Sequence, residues 1–506
     1  MIKRILHTTS LKANIAANFL GNGFASLIAL LFVPIYLKYI GGEGYGLIGI
    51  FASLQVVLSL LDSGLSTTLN KELARLSMIS GMQQRMRNMV KTLGGIYWIA
   101  ATVAGLIALV LSPLLAKYWV NPKELSVETV TQAFMLLSVS VIFQFLTGFY
   151  SGGLLGLQRQ VMLNVQKIIF ALLKSFGALI ILAYFSRSVL SFFAWNLTIT
   201  IIQSIVTRYT VWAYLPKQHS KDIFDRQEIK AVWKFTTGMM GITLTAILFT
   251  QIDKIILSKI LSLEAFGYYS IACTLGLMIF QITGPITQSY FPKLSAAVNF
   301  PNTEEIKRIY HQGCQMVSVI VVPVTATFIF FSKELIFIWT KSPVVTEHTW
   351  LITAVYAYGS GLNAYMTLPY LLTLSYGWTK LGIYQNMIFL ILFIPLIIFL
   401  SLDYGALGGA LAWASINTLY FFITPHLIHG KLLKGEVYKW YWEDTIKPML
   451  AGVIVVGLLK YLFVEGKGLW FNLSYIGLTG ITAIVVTLLF AKRINNIFIQ
   501  LIRKFF

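Results

Sequence analysis

Two lysines seven residues apart, Lys167 and Lys174, interrupt an otherwise apolar run between residues 163 and 185. In an α-helix that spacing puts both on one face. Arg159 precedes the run and projects near the same stripe. A cation deep in apolar surroundings attracts an anion through a wet cavity, completes an internal ion pair, or is kept neutral by its dry environment. A second charged site, Asp253-Lys254, falls inside the run 235–258. Adjacent helical residues point about 100° apart, so the pair is not expected simply to cancel. Lys254 is a candidate for lining a cavity, and Asp253 for pairing across the bundle or holding a coupling cation. Asp62, beside Gly64, is expected to cap the next helix or bridge to Lys71 or Arg75, with ion coupling as its other use. Asn14, Asn18 and Asn22 recur every four residues, and Gln55, Ser59, Asp62 and Ser66 form a similar stripe. Such stripes line a wet path or hydrogen-bond between helices. Asn18 and Asn22 are kept as candidate substrate-binding residues.

Other patterns lead away from chemistry. Gly44-Tyr-Gly-Leu-Ile-Gly49 spells a dinucleotide fingerprint. That fingerprint needs a strand before it, and here it opens an apolar helix. No phosphate-binding loop of the ATPase type is present. His426 and His429 have no carboxylate or cysteine cluster beside them, so no metal site is expected. Cys273 and Cys314 lie in or beside apolar runs and read as small buried residues. Glu443-Asp444, in a segment rich in Lys and Trp, is expected to be solvated or interfacial. Neither a catalytic residue nor a cofactor is expected.

The elements that position these residues follow from composition. Hydrophobic residues make up 57% of the 506, and charged residues only 11%. A soluble domain carries about 25% charged residues, so this chain cannot cover a water-soluble particle. Bilayer hydrocarbon about 30 Å thick takes about 20 apolar residues per helix, and lipid-facing backbone must bond to itself. Fourteen runs meet that length: 14–37, 45–66, 92–115, 128–155, 163–185, 189–211, 235–258, 266–291, 312–332, 348–373, 381–402, 406–428, 447–464 and 470–490. Lys174 then stands about 16 Å from either end of its helix at about 1.5 Å per residue. Pro34, Pro285, Pro323, Pro369 and Pro395 interrupt spans and are candidate bends.

The net charge of +20 would suggest nucleic acid in a soluble protein. Here the basic residues sort by side. With the N-terminus inside, the inside segments carry about 27 of the 39 lysines and arginines, the outside loops about 8 and the spans about 4. That is the positive-inside bias. Both termini are therefore expected in the cytoplasm, and no nucleic-acid partner is expected. The first run continues to Lys38 without a small-residue cleavage site, so it is read as a retained span. The basic tail, with Ile494, Ile497, Phe498, Leu501, Ile502 and Phe505, is expected to lie on the membrane as an amphipathic helix. All outside loops are short, which leaves no room for a sizeable external domain.

The chain also repeats itself. Glu43-Gly-Tyr-Gly-Leu-Ile-Gly-Ile-Phe-Ala-Ser-Leu54 resembles Glu264-Ala-Phe-Gly-Tyr-Tyr-Ser-Ile-Ala-Cys-Thr-Leu275, about 221 residues on. An offset of about 218 aligns Ala194-Trp195 with Ala412-Trp413. The expected fold is an all-α polytopic membrane protein of two parallel six-helix repeats and two extra spans. The expected domains are 1–216, 217–430 and 431–506. An interface between parallel repeats is where transporters commonly hold substrate.

Leu61-Asp-Ser-Gly-Leu-Ser-Thr-Thr-Leu-Asn-Lys-Glu-Leu-Ala-Arg75 resembles the polysaccharide transporter family, the flippases for lipid-linked oligosaccharides of the O-antigen, capsule and exopolysaccharide type. Ser63 stands where that family has a hydrophobe. Gln251-Ile-Asp-Lys-Ile-Ile-Leu-Ser-Lys259, followed by Phe266-Gly-Tyr-Tyr-Ser-Ile-Ala272, is similar to the family's seventh-to-eighth helix signature. The likeness covers residues 10–430. It implies the multidrug/oligosaccharidyl-lipid/polysaccharide exporter fold, alternating access and a bacterial cytoplasmic membrane. It also implies a polyprenyl-diphosphate-linked oligosaccharide as substrate among membrane lipids, with polysaccharide polymerase and chain-length proteins as further candidate partners. Lys174, Lys167, Arg159 and Lys254 would then attract the diphosphate. Two other classes stay open. A membrane polymerase or ligase needs acid/base residues on an outer loop, commonly a large one. A drug/cation antiporter of the same superfamily should be dominated by buried carboxylates, whereas buried lysines are at least as prominent here.

Overall fold

The computed structural model describes residues 11–217, 222–225, 228, 244, 247–299, 303–464 and 468–505. The protein is an all-α polytopic membrane protein. Among the described residues no strand forms, and the extended backbone contributes one isolated bridge between Asn121 and Ser262. The helices are α1 (Leu11–Leu76), α2 (Gln83–Tyr118), α3 (Val127–Gly156), α4 (Gln160–Ile180) with a π-helical end (Ile181–Phe185), α5 (Val189–Tyr214) and α6 (247–260). There follow α7 (Leu263–Asn299), α8 (Thr303–Phe330), α9 (Ser332–Thr340), α10 (Pro343–Tyr365), α11 (Thr367–Ser375), α12 (Thr379–Tyr404) and α13 (Ala406–Leu432). A helical turn (Val437–Lys439) and a π-helical stretch (Trp440–Ile446) lead into α14 (Lys447–Tyr461), then α15 (Leu469–Phe490) and α16 (Lys492–Phe505).

Ten helices among the described residues are long and apolar enough to cross a membrane. The other four expected runs are also mainly helical where they are described. The run 45–66 shares α1 with the first, 235–258 ends in α6, 348–373 spans α10 and α11, and 447–464 contains α14. The first two spans part at Gly41, whose φ of 72° breaks the helix. A side chain there would be strained, so glycine is what lets the chain turn within one residue. Pro34, Pro285, Pro323 and Pro395 lie inside helices. Pro369 instead sits in the first turn of α11, because the chain already breaks at Met366.

Packing groups the chain into two compact units, Met1–Gly267 and Tyr268–Phe506. In the first, Leu69, Leu73, Met89, Leu93, Phe149 and Leu154 form a buried core between α1, α2 and α3. Gly152 and Gly156 bring α3 onto α1: a Cβ on either would come within 2.6 Å of the Ser66 or Asn70 carbonyl oxygen. Helices in lipid gain little from excluding water, so such close approach through small residues drives association. In the second unit the core joins Tyr310, Val317 and Val321 of α8 to Leu368, Leu372, Phe421 and Trp440. Outward faces carry the reverse pattern. Ile99, Val103, Leu106, Ile107, Val110 and Leu114 are exposed along α2, as are Ile388, Ile391, Phe399 and Leu402 along α12. A soluble monomer does not expose such stripes, whereas a bilayer covers them.

Candidate functional site

α4 begins after a sharp turn. Gln158 adopts a left-handed φ of 57° and Arg159 is not helical. The Arg159 guanidinium lies 4.6 Å from the centre of the Tyr214 ring at the end of α5, a cation–π contact that ties the two helices. One face of α4 then carries Lys167 and Lys174, both half-buried. Among the described residues Lys174 has neither a hydrogen bond nor an ion pair.

α4 and α5 are held together by polar contacts that a dry environment strengthens. Buried Gln166 donates to Thr210 Oγ1 at 2.8 Å and accepts from Thr207 Oγ1 at 3.3 Å. Trp195 Nε1 donates to the Leu173 carbonyl at 3.0 Å. In the second unit Gln385 of α12 donates to Thr424 of α13 at 3.0 Å. Gln166 and Thr207 correspond to Gln385 and Thr424 at close to the repeat offset of about 218. The duplication thus preserves an interhelical hydrogen bond as well as apolar periodicity.

Asp253 is buried in α6. The Lys254 side chain folds back along the helix, and its Nζ lies 3.1 Å from both carboxylate oxygens of Asp253. The angular separation of neighbours did not anticipate this, because four flexible methylenes let the ammonium reach across 100° of helix surface. The side chains of Asn18, Asn22 and Asp62 lie outside the described residues.

The glycine-rich segment serves close packing. A Cβ on Gly46 would come within 2.1 Å of the Leu263 carbonyl oxygen, and one on Gly267 within 2.6 Å of the Gly42 carbonyl oxygen. These contacts are reciprocal, since Leu263 and Gly267 follow Gly42 and Gly46 by 221 residues. The neighbouring Glu43 carboxylate accepts from the backbone N–H groups of Lys123, Glu124 and Leu125 at 2.6, 3.0 and 2.8 Å.

A polar cluster in the second unit had no sequence signal. His311 of α8 is fully buried between two carboxylates, Asp444 and Glu436. The sequence reads Glu443-Asp444 as part of a solvated or interfacial segment. Glu443 is exposed, but Asp444 turns inward and is fully buried. His429 is buried against Tyr310, while His426 is exposed and bonds its own helix at the Phe422 carbonyl. Among the described residues no His, Cys, Asp and Glu group has metal-binding geometry. Cys273 and Cys314 are buried free thiols.

With this geometry in place, residues 40–341 match the sequence profile of a family described as polysaccharide biosynthesis protein. A Shigella flexneri protein that carries the name of an O-antigen transporter is 22% identical over 405 residues, covering 80% of this chain and 94% of that protein. The lipid II flippase MurJ, in an inward closed conformation, superposes with a TM-score of 0.73 at 14% identity, over 94% of this chain and 98% of MurJ. An inward-facing multidrug resistance transporter of the MATE family, MOP superfamily, gives 0.65 at 12% identity, over 80% of this chain and 95% of its own. At such identities these structural likenesses establish a common fold.

Proposed function

The chain belongs to the polysaccharide biosynthesis protein family, and on that premise we propose that it is a flippase that carries a polyprenyl-diphosphate-linked oligosaccharide across a bacterial cytoplasmic membrane by alternating access. Both termini face the cytoplasm in this reading, and the chain forms and breaks no covalent bond of the substrate. The observation that carries the reading is Lys174, a half-buried cation near the middle of the continuous helical stretch 160–185 with no partner among the described residues. A cation at that depth is costly unless an anion or water meets it. A diphosphate is an anion suited to compensate it, and the likeness to an O-antigen transporter supports a lipid-linked glycan as its carrier. Lys167 shares the face of Lys174 and would extend the anion path. Arg159, Lys254, Asn18 and Asn22 are the further candidates for binding the headgroup. Asp253 and Asp62 are candidates for ion coupling or for structural roles.

The test is to locate lipid-linked oligosaccharide in cells that lack the protein. A flippase leaves intact units on the cytoplasmic face, and wild-type protein relieves the accumulation. If the units reach the outer face but are not polymerised or transferred, the protein is instead an enzyme of the same pathway.

A further inference from the structure

His311 lies where three stretches of the second unit converge: α8, the segment 436–446 and the start of α16. Its Nδ1 faces Asp444 Oδ2, and its Nε2 lies 3.1 Å from Glu436 Oε2. Asp444 is held in turn by Gln315 Nε2 at 2.9 Å on its other oxygen, and by Ser318, whose hydroxyl donates to its backbone carbonyl. Gln315 Oε1 accepts from the Arg493 backbone N–H at 2.8 Å. Every polar atom of this chain of contacts is thus committed.

Both partners of the imidazole are carboxylates, and that fixes a proton count. Each N···O contact needs one hydrogen. A neutral imidazole has only one, and an ionised carboxylate has none. The arrangement therefore holds one proton more than neutral histidine with two carboxylates would supply, shared among the three groups as a coupled site. His429 in the same core shows the contrast. Its Nδ1 donates to the Pro425 carbonyl at 2.7 Å, and its Nε2 accepts from the Tyr310 hydroxyl at 2.9 Å, so one hydrogen on the ring suffices.

We propose that His311, Asp444 and Glu436 form a proton-binding site whose bound proton latches the segment 436–446, and with it the two added C-terminal spans, onto α8. Three cations surround the site and favour the ionised form of its carboxylates. Lys307 of α8 lies 3.1 Å from Glu436 Oε1 and Lys439 lies 3.5 Å from Oε2. Arg493 of α16 acts on Asp444 through space. Tyr310 and Cys314 of α8 and His429 of α13 complete the titratable surroundings. Access is one-sided, because the Glu436 side chain keeps 12% exposure while those of His311 and Asp444 have none. The proton therefore enters and leaves through Glu436. When it leaves, one contact is left with two facing lone pairs and no hydrogen, and the latch opens.

The closed arrangement needs the proton and the open one does not, so closure weakens as pH rises. The experiment is amide hydrogen exchange of residues 436–446 in the purified full-length protein between about pH 6 and about pH 9, corrected for intrinsic exchange. Losing a charge-assisted hydrogen bond should reduce protection by about tenfold or more across that range. Asp444→Asn places a permanent N–H opposite His311 Nδ1 and keeps an oxygen for Gln315. Glu436→Gln does the same opposite Nε2. Each variant should stay protected at high pH, because the amide replaces the proton. A wild-type profile flat in pH overturns the proposal, and so does a folded variant that keeps the wild-type slope. Failure of both variants to fold also contradicts it, since the amide is argued to take the proton's place.

Discussion

The Leu263 carbonyl oxygen occupies the space in which a side chain at Gly46 would begin, 2.1 Å from where its Cβ would lie. The obstacle is backbone and cannot rotate away. Gly46→Ala should therefore push α1 from the start of α7 and destabilise the protein by about 1–3 kcal/mol, the range for overpacking a filled site. Gly23→Ala is the control, because nothing lies within 4 Å of a Cβ there. Thermal unfolding in detergent compares the two. Equal unfolding temperatures would mean that the close approach contributes nothing.

A second prediction concerns the segment after α5. Arg87 Nε and Nη2 donate to the two Asp222 oxygens at 2.7 and 2.9 Å. The backbone N–H groups of Ile223 and Asp225 donate to Asn88 and Thr92 of α2 at 3.0 and 2.9 Å. The hydrogen bond to Arg87 comes first among the causes that hold the Asp222 carboxyl below its usual value of 3.8. A depressed carboxyl stabilises the folded form above its unfolded value, and that contribution is lost as pH falls through the folded one. Residues 222–225 should therefore keep their exchange protection at neutral pH and lose it only below the usual carboxylate range. Arg87→Ala should remove the protection already at neutral pH. Protection unchanged in that variant would show that Asn88 and Thr92 suffice alone.

The third prediction concerns the added spans. Lys460, at the end of α14, pairs with Glu334 of α9, and its ammonium also lies 4.9 and 5.2 Å from the ring centres of Phe331 and Phe463. Glu334 is buried and its second oxygen has no hydrogen-bond partner. Lys460→Met should cost about 3 kcal/mol, because it leaves an uncompensated buried carboxylate. Adding Glu334→Gln should recover much of that loss. Unfolding of the single and double variants, completed as a double-mutant cycle with Glu334→Gln alone, measures the coupling. Additive losses would mean that the pair contributes little.

How much of this was legible beforehand depended on the length scale of each signal. A span is written in about twenty consecutive residues, so the helices fell where the apolar runs lay. The repeat was legible because Glu43 to Leu54 and Glu264 to Leu275 keep their order. The His311–Asp444 contact joins residues 133 apart, and nothing local to either distinguishes it from a solvated charge. Asp444 looked like its exposed neighbour Glu443, yet one step along a helix turned it into the core. The Lys254 ammonium was misplaced for a related reason. Residue spacing locates a Cβ, whereas a lysine charge sits four methylenes further out. Lys167 and Lys174 kept their common face because that relation depends on helix geometry alone.

The central claim is tested most directly by reconstitution. Purified protein in proteoliposomes is given a fluorescent polyprenyl-diphosphate oligosaccharide in one leaflet, and its appearance in the other is followed. Wild type should move the lipid. Lys174→Ala should slow transport by about tenfold or more, as expected for losing a charge-assisted contact to the diphosphate. Lys174→Arg, which keeps the charge, should retain more activity than the alanine variant. If wild type moves no lipid, or if Lys174→Ala moves it at the wild-type rate, the account of a cation-lined path for a lipid-linked glycan is contradicted.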